Sequence, residues 1–398
     1  MADPNALLSP SLITKTTLAI LENNLVAAGK VNRAMENQFN KIGATITVRM
    51  PNKFVVTDGP GLSIQNIVEP STAITISYQK HIDFQFSMSE LLLTIEEFSD
   101  RYLKPAAVKL ANQVDYDVLG LYDGIYNEVG TPGTVPNAFS YICAVGERMD
   151  NFAVPQDGRV LILGTKANWA LANALSSGVY VRSVAEPAFK GYLASLANLE
   201  IYEDQNIQAQ VVGAYGALGT QTVTVGGQTG SVLLTEGWPD GVANLLNVGD
   251  VFSIAGVYSV NPGNLEANED LAQFVVTSPV SSSAGGLATI NIDPPIITSG
   301  AYQTVDTTPL AAAPITVMGA SGGKYKQNLA FSRDAFGLVM VPMELPQGVD
   351  FAARQTWKGM SLRIIRQYDI NSDVMPCRVD ILYGTSVFYP ELACRLTN

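Results

Sequence analysis

Apolar and polar residues change rhythm several times along this chain, and each change marks a different kind of element. In "SPSLITKTTLAILENNLVAAGK" Ser9 stands where a helix cap belongs and Pro10 at the first helical position. Apolar residues follow at Leu12, Ile13, Leu18, Leu21 and Leu25, which predicts an amphipathic N-terminal arm. From Lys41 to Phe86 the rhythm turns to alternation, "ATITVRM" and "AITISYQKHIDFQF", broken by the turn-rich "TDGPGLS"; this predicts a long β-hairpin or extended loop. The stretch "LTIEEFSDRYLKPAAVKLANQVDYDVLGLYDGIYNEVG" opens with Thr94 and Glu97 spaced as a capping box. Ala107, Ala111, Val114, Val118, Leu121 and Ile125 then recur at steps of four and three, as one face of a helix requires. A helix from Pro105 to Tyr126 would be about 33 Å long at about 1.5 Å per residue. Pro105 either starts it or kinks a longer helix beginning at Ile95, and both readings fit the residues.

From Asn137 to Glu203 helical and strand patterns alternate: a helix in "AFSYICAVGERMDNF", a buried strand "RVLIL", a helix "KANWALANAL" and a strand "LEIYE". That order predicts a mixed α/β domain. Val211 to Val317 is of another kind, with short alternating runs ("TVTV", "SVLL", "DVFSIAGVYSV", "QFVVT", "ATINI") between glycine, proline and asparagine turns. Spacing of that sort predicts a small β-barrel or sandwich. Helix and strand signals resume after Lys324, so the β module is inserted into the α/β domain.

Charge sharpens this division. The net charge is −12, and between Lys190 and Lys324 there is no lysine or arginine against 11 acids. A segment so acidic is not a phosphate-binding surface; it reads as a soluble, outward-facing module on a nearly charge-balanced scaffold. At 398 residues, 47% hydrophobic and 15% charged, the chain is long and apolar enough for two or three buried cores. The start "MADPNALLSPSLITK" lacks a targeting pattern, and no apolar run approaches the roughly 20 residues that span a bilayer, so a cytoplasmic protein with no membrane partner is expected.

Candidate chemistry is sparse. Cys143, Cys377 and Cys394 are too scattered for a disulfide framework or a zinc knuckle and read as buried, reduced thiols. The single histidine, His81, lies in an alternating run and reads as a strand residue instead of a general base. Two glycine-rich stretches fail as nucleotide loops. Gly319 and Gly323 stand three residues apart instead of four, and Lys324 is followed by Tyr325; Gly158 and Gly164 stand five apart, with Thr165 before Lys166. Both read as strand exits, with Thr165 capping the next helix. Glu96 with Glu97 and Glu269 with Asp270 read as solvated acids on helical or turn segments, and Lys358, Arg363 and Arg366 as ion-pair partners of a neighbouring subunit. No catalytic, cofactor-binding or metal-ligating residue is expected.

Four phrases carry a resemblance: "FSMSELLLTIEEFSDRYLKPAAVKLANQVD", "LEIYEDQNI", "QNLAFSRDAFGLVMVPMELPQG" and "GMSLRIIRQYDINSDVMPCRVDILYGTSVFYPELACRL". In this order they resemble the major capsid (coat) protein family of tailed bacteriophages typified by short-tailed Salmonella phages. The resemblance implies an α+β chain with the capsid fold first seen in the Hong Kong ninety-seven phage. Its expected parts are an N-terminal arm (1–40), an extended β-loop (41–86), a peripheral domain with a spine helix (87–136), and an axial domain in two parts (137–210 and 318–370). An inserted small all-β barrel (211–317) lies between those parts, and C-terminal strands (371–398) return to the axial and peripheral domains. The phrase "GDVFSIAGV" resembles a strand of that barrel, and Gly319 to Lys324 becomes the hinge by which it returns.

The function so implied is self-assembly as pentamers and hexamers into an icosahedral shell around double-stranded DNA. Scaffolding and portal proteins are the implied partners, contact with DNA is non-specific, and assembly takes place in the host bacterial cytoplasm. Some related capsids crosslink a loop lysine to a neighbour's asparagine, for which Lys53 is the nominal candidate. Rival readings are an encapsulin-type nanocompartment shell, which shares the fold, a decoration or tail protein built on β modules, and a nucleotide-dependent enzyme resting on the two failed glycine motifs.

Overall fold

The computed structural model describes residues 10–23, 25–34, 45–62, 64–65, 69–87, 102–176, 195–216, 220–349, 351–357, 360–371 and 374–398. Helix α1 (Pro10–Asn23) is followed by β1 (Thr45–Arg49), β2 (Ser71–Thr75), β3 (Tyr78–Ser87), α2 (Lys104–Leu119) and β4 (Glu128–Gly130). Next come α3 (Phe139–Asn151), β5 (Arg159–Leu163), α4 (Thr165–Ser176), β6 (Ser195–Leu196), β7 (Leu199–Glu203) and β8 (Ala209–Val211). Strands β9 (Thr222–Val223), β10 (Gly230–Glu236), β11 (Val251–Val260), β12 (Ala267–Val276), β13 (Ala288–Ile296) and β14 (Ile315–Val317) form the inserted module. The chain continues with β15 (Lys324–Ser332), β16 (Phe336–Met340), β17 (Phe351–Trp357), β18 (Met360–Arg366), β19 (Val374–Val387) and β20 (Ala393–Thr397).

Two compact units share these elements. The smaller gathers residues 1–48, 71–118 and 336–386. Its five-stranded sheet runs β16-β19-β18-β17, with β3 paired along β19. Helix α1 opens on Pro10 as expected, while Ser9 lies outside the described residues. Its Leu18 and Leu21 are buried, and the helix lies against β17 and β18. Behind it the backbone N–H groups of Val26 and Ala28 each donate at 2.8 Å to the carboxylate of Asp115, fully buried on α2. The arm is therefore fastened to the helix by a buried acceptor.

The expected β-loop divides in two. β1 and β2 pair as its stem, but β3 leaves it to pair antiparallel with β19, Tyr78 opposite Tyr383 through Ser87 opposite Val374. Alternation alone cannot distinguish a hairpin arm from a strand whose partner is almost 300 residues away.

The expected long helix is also corrected. Pro105 sits in the first turn of α2, where its missing N–H is no loss, and the alternative start at Ile95 lies outside the described residues. The α-helix stops at Leu119 and tightens into a 3₁₀ turn over Gly120–Gly124, short of Tyr126. Gly120 weakens the helix locally, and a Cβ there would meet the Gln208 amide nitrogen at 2.7 Å.

The larger unit holds residues 49–70, 119–335 and 387–398. Its seven-stranded sheet runs β4-β20-β15-β5-β7-β6, with β8 on the far end of β15. Helices α3 and α4 bury Ile142, Val145, Met149 and Leu171 with Leu161 and Leu163 of the wholly buried β5. Gly164, not Thr165, precedes the first helical residue of α4; its N–H donates to Asn328 Oδ1 at 2.7 Å and its carbonyl accepts from Asn168.

The inserted module is an antiparallel sheet in the order β14-β11-β12-β13-β10-β9, closed where Thr222 bridges Pro314 and Ile315 N–H donates to the Gln221 carbonyl. Its core is its own, with Phe252 and Phe274 at 5.8 Å between centroids among Leu233, Ile254, Ile290 and Ile292. Glu269 and Asp270 lie on strand β12, not on a helix or turn.

The way in and out of the barrel is a short antiparallel ribbon, Val211 opposite Lys324 and Ala209 opposite Lys326. Val212 donates to the Gly323 carbonyl at 2.9 Å, and Gly322 donates to Gly213 at 3.1 Å. Gly319 and Gly322 take φ of +90° and +68°, and the turn they make folds over Tyr325, whose hydroxyl accepts from Ala320 N–H at 3.1 Å. A Cβ on Gly319 would stand 2.7 Å from that ring. This segment is a packed turn at the return from the barrel, and its glycines take the unusual backbone angles expected of that crossing.

Candidate assembly interface

The loop between β1 and β2 is tied at its base and open at its tip. Met50 N–H donates to Pro70 at 2.8 Å and Arg49 pairs with Glu69 at 3.1 Å. Higher up, Val55 N–H donates to Gln65 Oε1 at 2.9 Å, and the Gln65 amide returns a bond to the Val55 carbonyl. Lys53, the nominal crosslinking residue, pairs with Glu391 at 3.3 Å while its N–H donates to the Tyr302 hydroxyl at 3.3 Å. Beyond these ties Phe54 (64%), Val56 (91%), Leu62 (90%) and Ile64 (83%) stand exposed around the turn at Asp58–Gly61. Four large apolar side chains held in water on a braced loop mark a surface made for contact.

The barrel offers a second apolar face. Val232 and Leu234 alternate outward on β10, opposite Asn291 and Thr289 of β13, and Leu287 is exposed just before β13. The module's acids do not all point outward as expected. Asp250 is buried and accepts from Gly213 and Asn247 N–H at 2.9 and 2.8 Å, and Asp306 accepts from Tyr258 N–H at 2.8 Å. Asp240 accepts from Gly285 N–H at 3.1 Å. These three of the segment's 11 acids serve as backbone acceptors.

Beneath the barrel lies a fully buried guanidinium that sequence reading missed. Arg395 on β20 donates through Nε and Nη2 to the Ile125 carbonyl, the Nε bond at 2.7 Å, and through Nη1 to Gly249 at 2.8 Å. Its guanidinium lies 5.5 Å from the Tyr122 ring centroid. Burial raises the carboxyls of Asp123, Glu128 and Asp250, and the Arg395 charge opposes each rise. Neighbouring bonds close the cluster: Thr397 Oγ1 donates to Glu128 at 2.6 Å, Gln210 Nε2 to Asp250 at 2.7 Å, and the Tyr122 hydroxyl to Gln210 at 3.0 Å. The one signal was an arginine inside the apolar alternation of "LACRL".

The other sequence candidates fall apart as sites. Arg363 grips Asp380 on the adjacent strand at 2.6 and 3.0 Å, and Arg366 lies over the Phe351 ring at 5.2 Å. Both contacts lie within the chain, and antiparallel register is what sets Arg363 opposite Asp380. Lys358, Glu96 and Glu97 lie outside the described residues. His81 is on strand β3 and contacts Asp83 at 3.1 Å; Asp83 is held below the usual carboxylate range by its hydrogen bonds from Arg378. Cys377 and Cys394 are buried, which pushes both thiols up to about 12, whereas Cys143 is exposed, contrary to expectation. Among the described residues no group of three or more histidine, cysteine or acidic side chains is placed to hold a metal ion, and no helix is long and apolar enough to cross a membrane.

Solved structures that resemble the chain include Mycobacterium phage Che8, at 14% identity over 94% of this chain and 90% of that one, with a TM-score of 0.48. Others are the capsid of an empty GTA particle (8%, covering 99% and 92%, TM-score 0.44) and a virus-like particle from Pyrococcus furiosus (9%, covering 96% and 97%, TM-score 0.38). No curated protein matches the chain by sequence. Residues 4–396 match the family described as P22 coat protein, gene protein 5. That match spans nearly the whole chain, so the chain belongs to the P22 coat protein family and is a phage capsid shell protein, not an enzyme.

Proposed function

We propose that identical copies of this chain assemble as pentamers and hexamers into the icosahedral shell that encloses the double-stranded DNA of a tailed phage. The observation that carries this reading is the loop tip, where Phe54, Val56, Leu62 and Ile64 stand exposed on a backbone held by cross-loop hydrogen bonds. In the shell each tip is covered by a neighbouring copy.

The domain roles follow the same reading. Residues 1–40 are the arm and the stretch closed by β1 and β2, ahead of β3, is the β-loop; these are the parts that adapt between fivefold and sixfold surroundings. Residues 87–118 with 336–386 form the peripheral domain, 119–210 and 318–335 the axial domain, 211–317 the inserted barrel and 387–398 the strand that returns to the axial sheet. Closed symmetry repeats each contact many times, so modest individual interfaces suffice. A chain of net charge −12 gives packaged DNA little to adhere to, so contact with it is non-specific. Scaffolding and portal proteins are the proposed partners, with assembly in the host cytoplasm.

Electron microscopy of the purified protein, with and without co-expressed scaffolding protein, tests this. Closed icosahedral shells are expected, and nucleic acid inside particles from infected cells separates a virion from a nanocompartment. Persistent monomers under both conditions would sink the proposal.

A further inference from the structure

Within the larger unit, a cavity of about 310 Å³ opens between the loop base, the barrel and the turn at Tyr389–Glu391. Its size reaches the lower bound for small-molecule sites, about 300 Å³. Aromatic rings and prolines, among them Tyr302, Tyr389 and Pro294, make up about half of its walls, and Lys53, Asp293 and Glu391 are its charged groups. Two polar groups in it lack partners. Tyr126 is only 6% exposed and makes an edge contact with Phe152, but its hydroxyl has no hydrogen bond among the described residues. Asp293 likewise has neither an ion pair nor a side-chain hydrogen bond there. Burial and the like charge of Glu391 push its carboxyl up to about 6. Glu391 itself is matched by Lys53 at 3.3 Å, so one negative charge in the cavity is left without a counter-ion.

The half-buried Asp293 carboxylate and the Tyr126 hydroxyl thus both line the cavity without a protein partner among the described residues, which suits a ligand that brings a positive charge and a hydrogen-bond donor. An anion is repelled by both acids. A hard metal ion needs about six oxygen ligands, usually with several carboxylates, and among the described residues no group of three or more histidine, cysteine or acidic side chains is placed to hold one. A neutral apolar molecule leaves Asp293 as it was. An organic cation meets every condition, since aromatic faces attract ammonium groups and apolar walls take a methylene stem. The Phe152 face is already occupied by Arg148, at 5.1 Å from the centroid, which leaves Tyr302 and Tyr389 for that role.

We propose that this cavity binds a small aliphatic amine in its ammonium form, the ammonium on the Asp293 carboxylate and the Tyr126 hydroxyl and the stem against Tyr302, Tyr389 and Pro294. The site is a property of the single subunit and does not depend on shell assembly.

Titration calorimetry of pentylamine into the full-length soluble subunit tests it, with 1-pentanol as the neutral probe of similar length. Saturable binding of one amine per subunit is expected, with no heat from pentanol. Asp293→Asn should weaken binding about tenfold or more, and Tyr126→Phe about two- to fivefold. The exposed-acid control Asp157→Asn should bind as the parent does. Circular dichroism melts of the same samples verify that each variant is folded. Equal affinity in Asp293→Asn and the parent, equal weakening in Asp157→Asn, or heats that follow ionic strength alone would each overturn the proposal.

Discussion

The inserted barrel and the seven-stranded sheet share one unit but are built on opposite plans. The barrel's strands come from one continuous stretch, 222–317, and the buried residues of their core all come from it, with only Tyr215 packed on from just before it. The sheet collects strands from residue 128 to residue 397, and its core borrows Val251 and Val275 from the barrel. A contiguous module meets its own hydrophobic demand, whereas a dispersed sheet needs a fastening where distant segments converge. Arg395 is that fastening: it gathers the carbonyls of Ile125 and Gly249 from segments more than 100 residues apart. Three carboxylates surround it, so the cluster is costly to bury and costlier to break.

The largest effect should therefore come from Arg395→Ala, which leaves those carboxylates buried without their counter-charge. A loss of about 3–5 kcal/mol is expected, confined to the sheet. Denaturant unfolding followed by fluorescence should show the sheet's transition moving to lower denaturant while a barrel transition stays in place. A single transition shifting as a whole would mean that the two plans are not separable.

A smaller effect probes the barrel from within. Asp293 lies on β13 with its carboxyl raised from 3.8 to about 6, so the folded chain binds this proton more tightly than the unfolded one. Its contribution to stability is full below pH 3.8 and is lost as the pH rises through about 6. Asp293→Asn should remove that dependence and stabilise the barrel by about 3 kcal/mol at pH 8, with little change at pH 4. Thermal melts across this range check the sign; destabilisation at pH 8 would show that the carboxylate has a partner in solution.

The smallest effect on folding belongs to the loop tip, which belongs to neither plan. Val56→Asp or Leu62→Asp should change subunit stability by no more than about 0.5 kcal/mol. Light scattering during assembly should nevertheless show shell formation blocked. Normal assembly of both variants would move the contact surface elsewhere, with Val232 and Leu234 of the barrel as the next face to alter.

Legibility in the sequence followed the same contrast. "RVLIL" became β5, "KANWALANAL" falls within α4, and the alternating runs became barrel strands, because each pattern depends on its own neighbours. The pairing of β3 with β19 was hidden, since alternation states which face is buried but not which strand lies alongside. The α-helix end at Leu119 was missed because the apolar spacing continues through Leu121 and Ile125 although the backbone has already tightened. The loop was visible as a loop, yet the exposure of Phe54 and Val56 was not, as apolar residues in an alternating run read equally well as core. Arg395 and Asp293 were invisible for a different reason. A single charge among apolar residues looks the same whether it reaches water or is buried, and only the converging segments decide which.

The position of β20 in the chain also sets an order in time. From Val317, the last residue of the barrel, to Ala393, the first of β20, lie about 75 residues, which at about 5–20 residues per second take a ribosome roughly 4–15 s to add. All-β domains fold in milliseconds to seconds, so the barrel can close while the strand that lies between β4 and β15 does not yet exist. During that interval Asp123, Glu128 and Asp250 remain hydrated, with Arg395 still to be made. The polypeptide thus carries a delay between synthesis and readiness, and the arrival of one five-residue strand ends it.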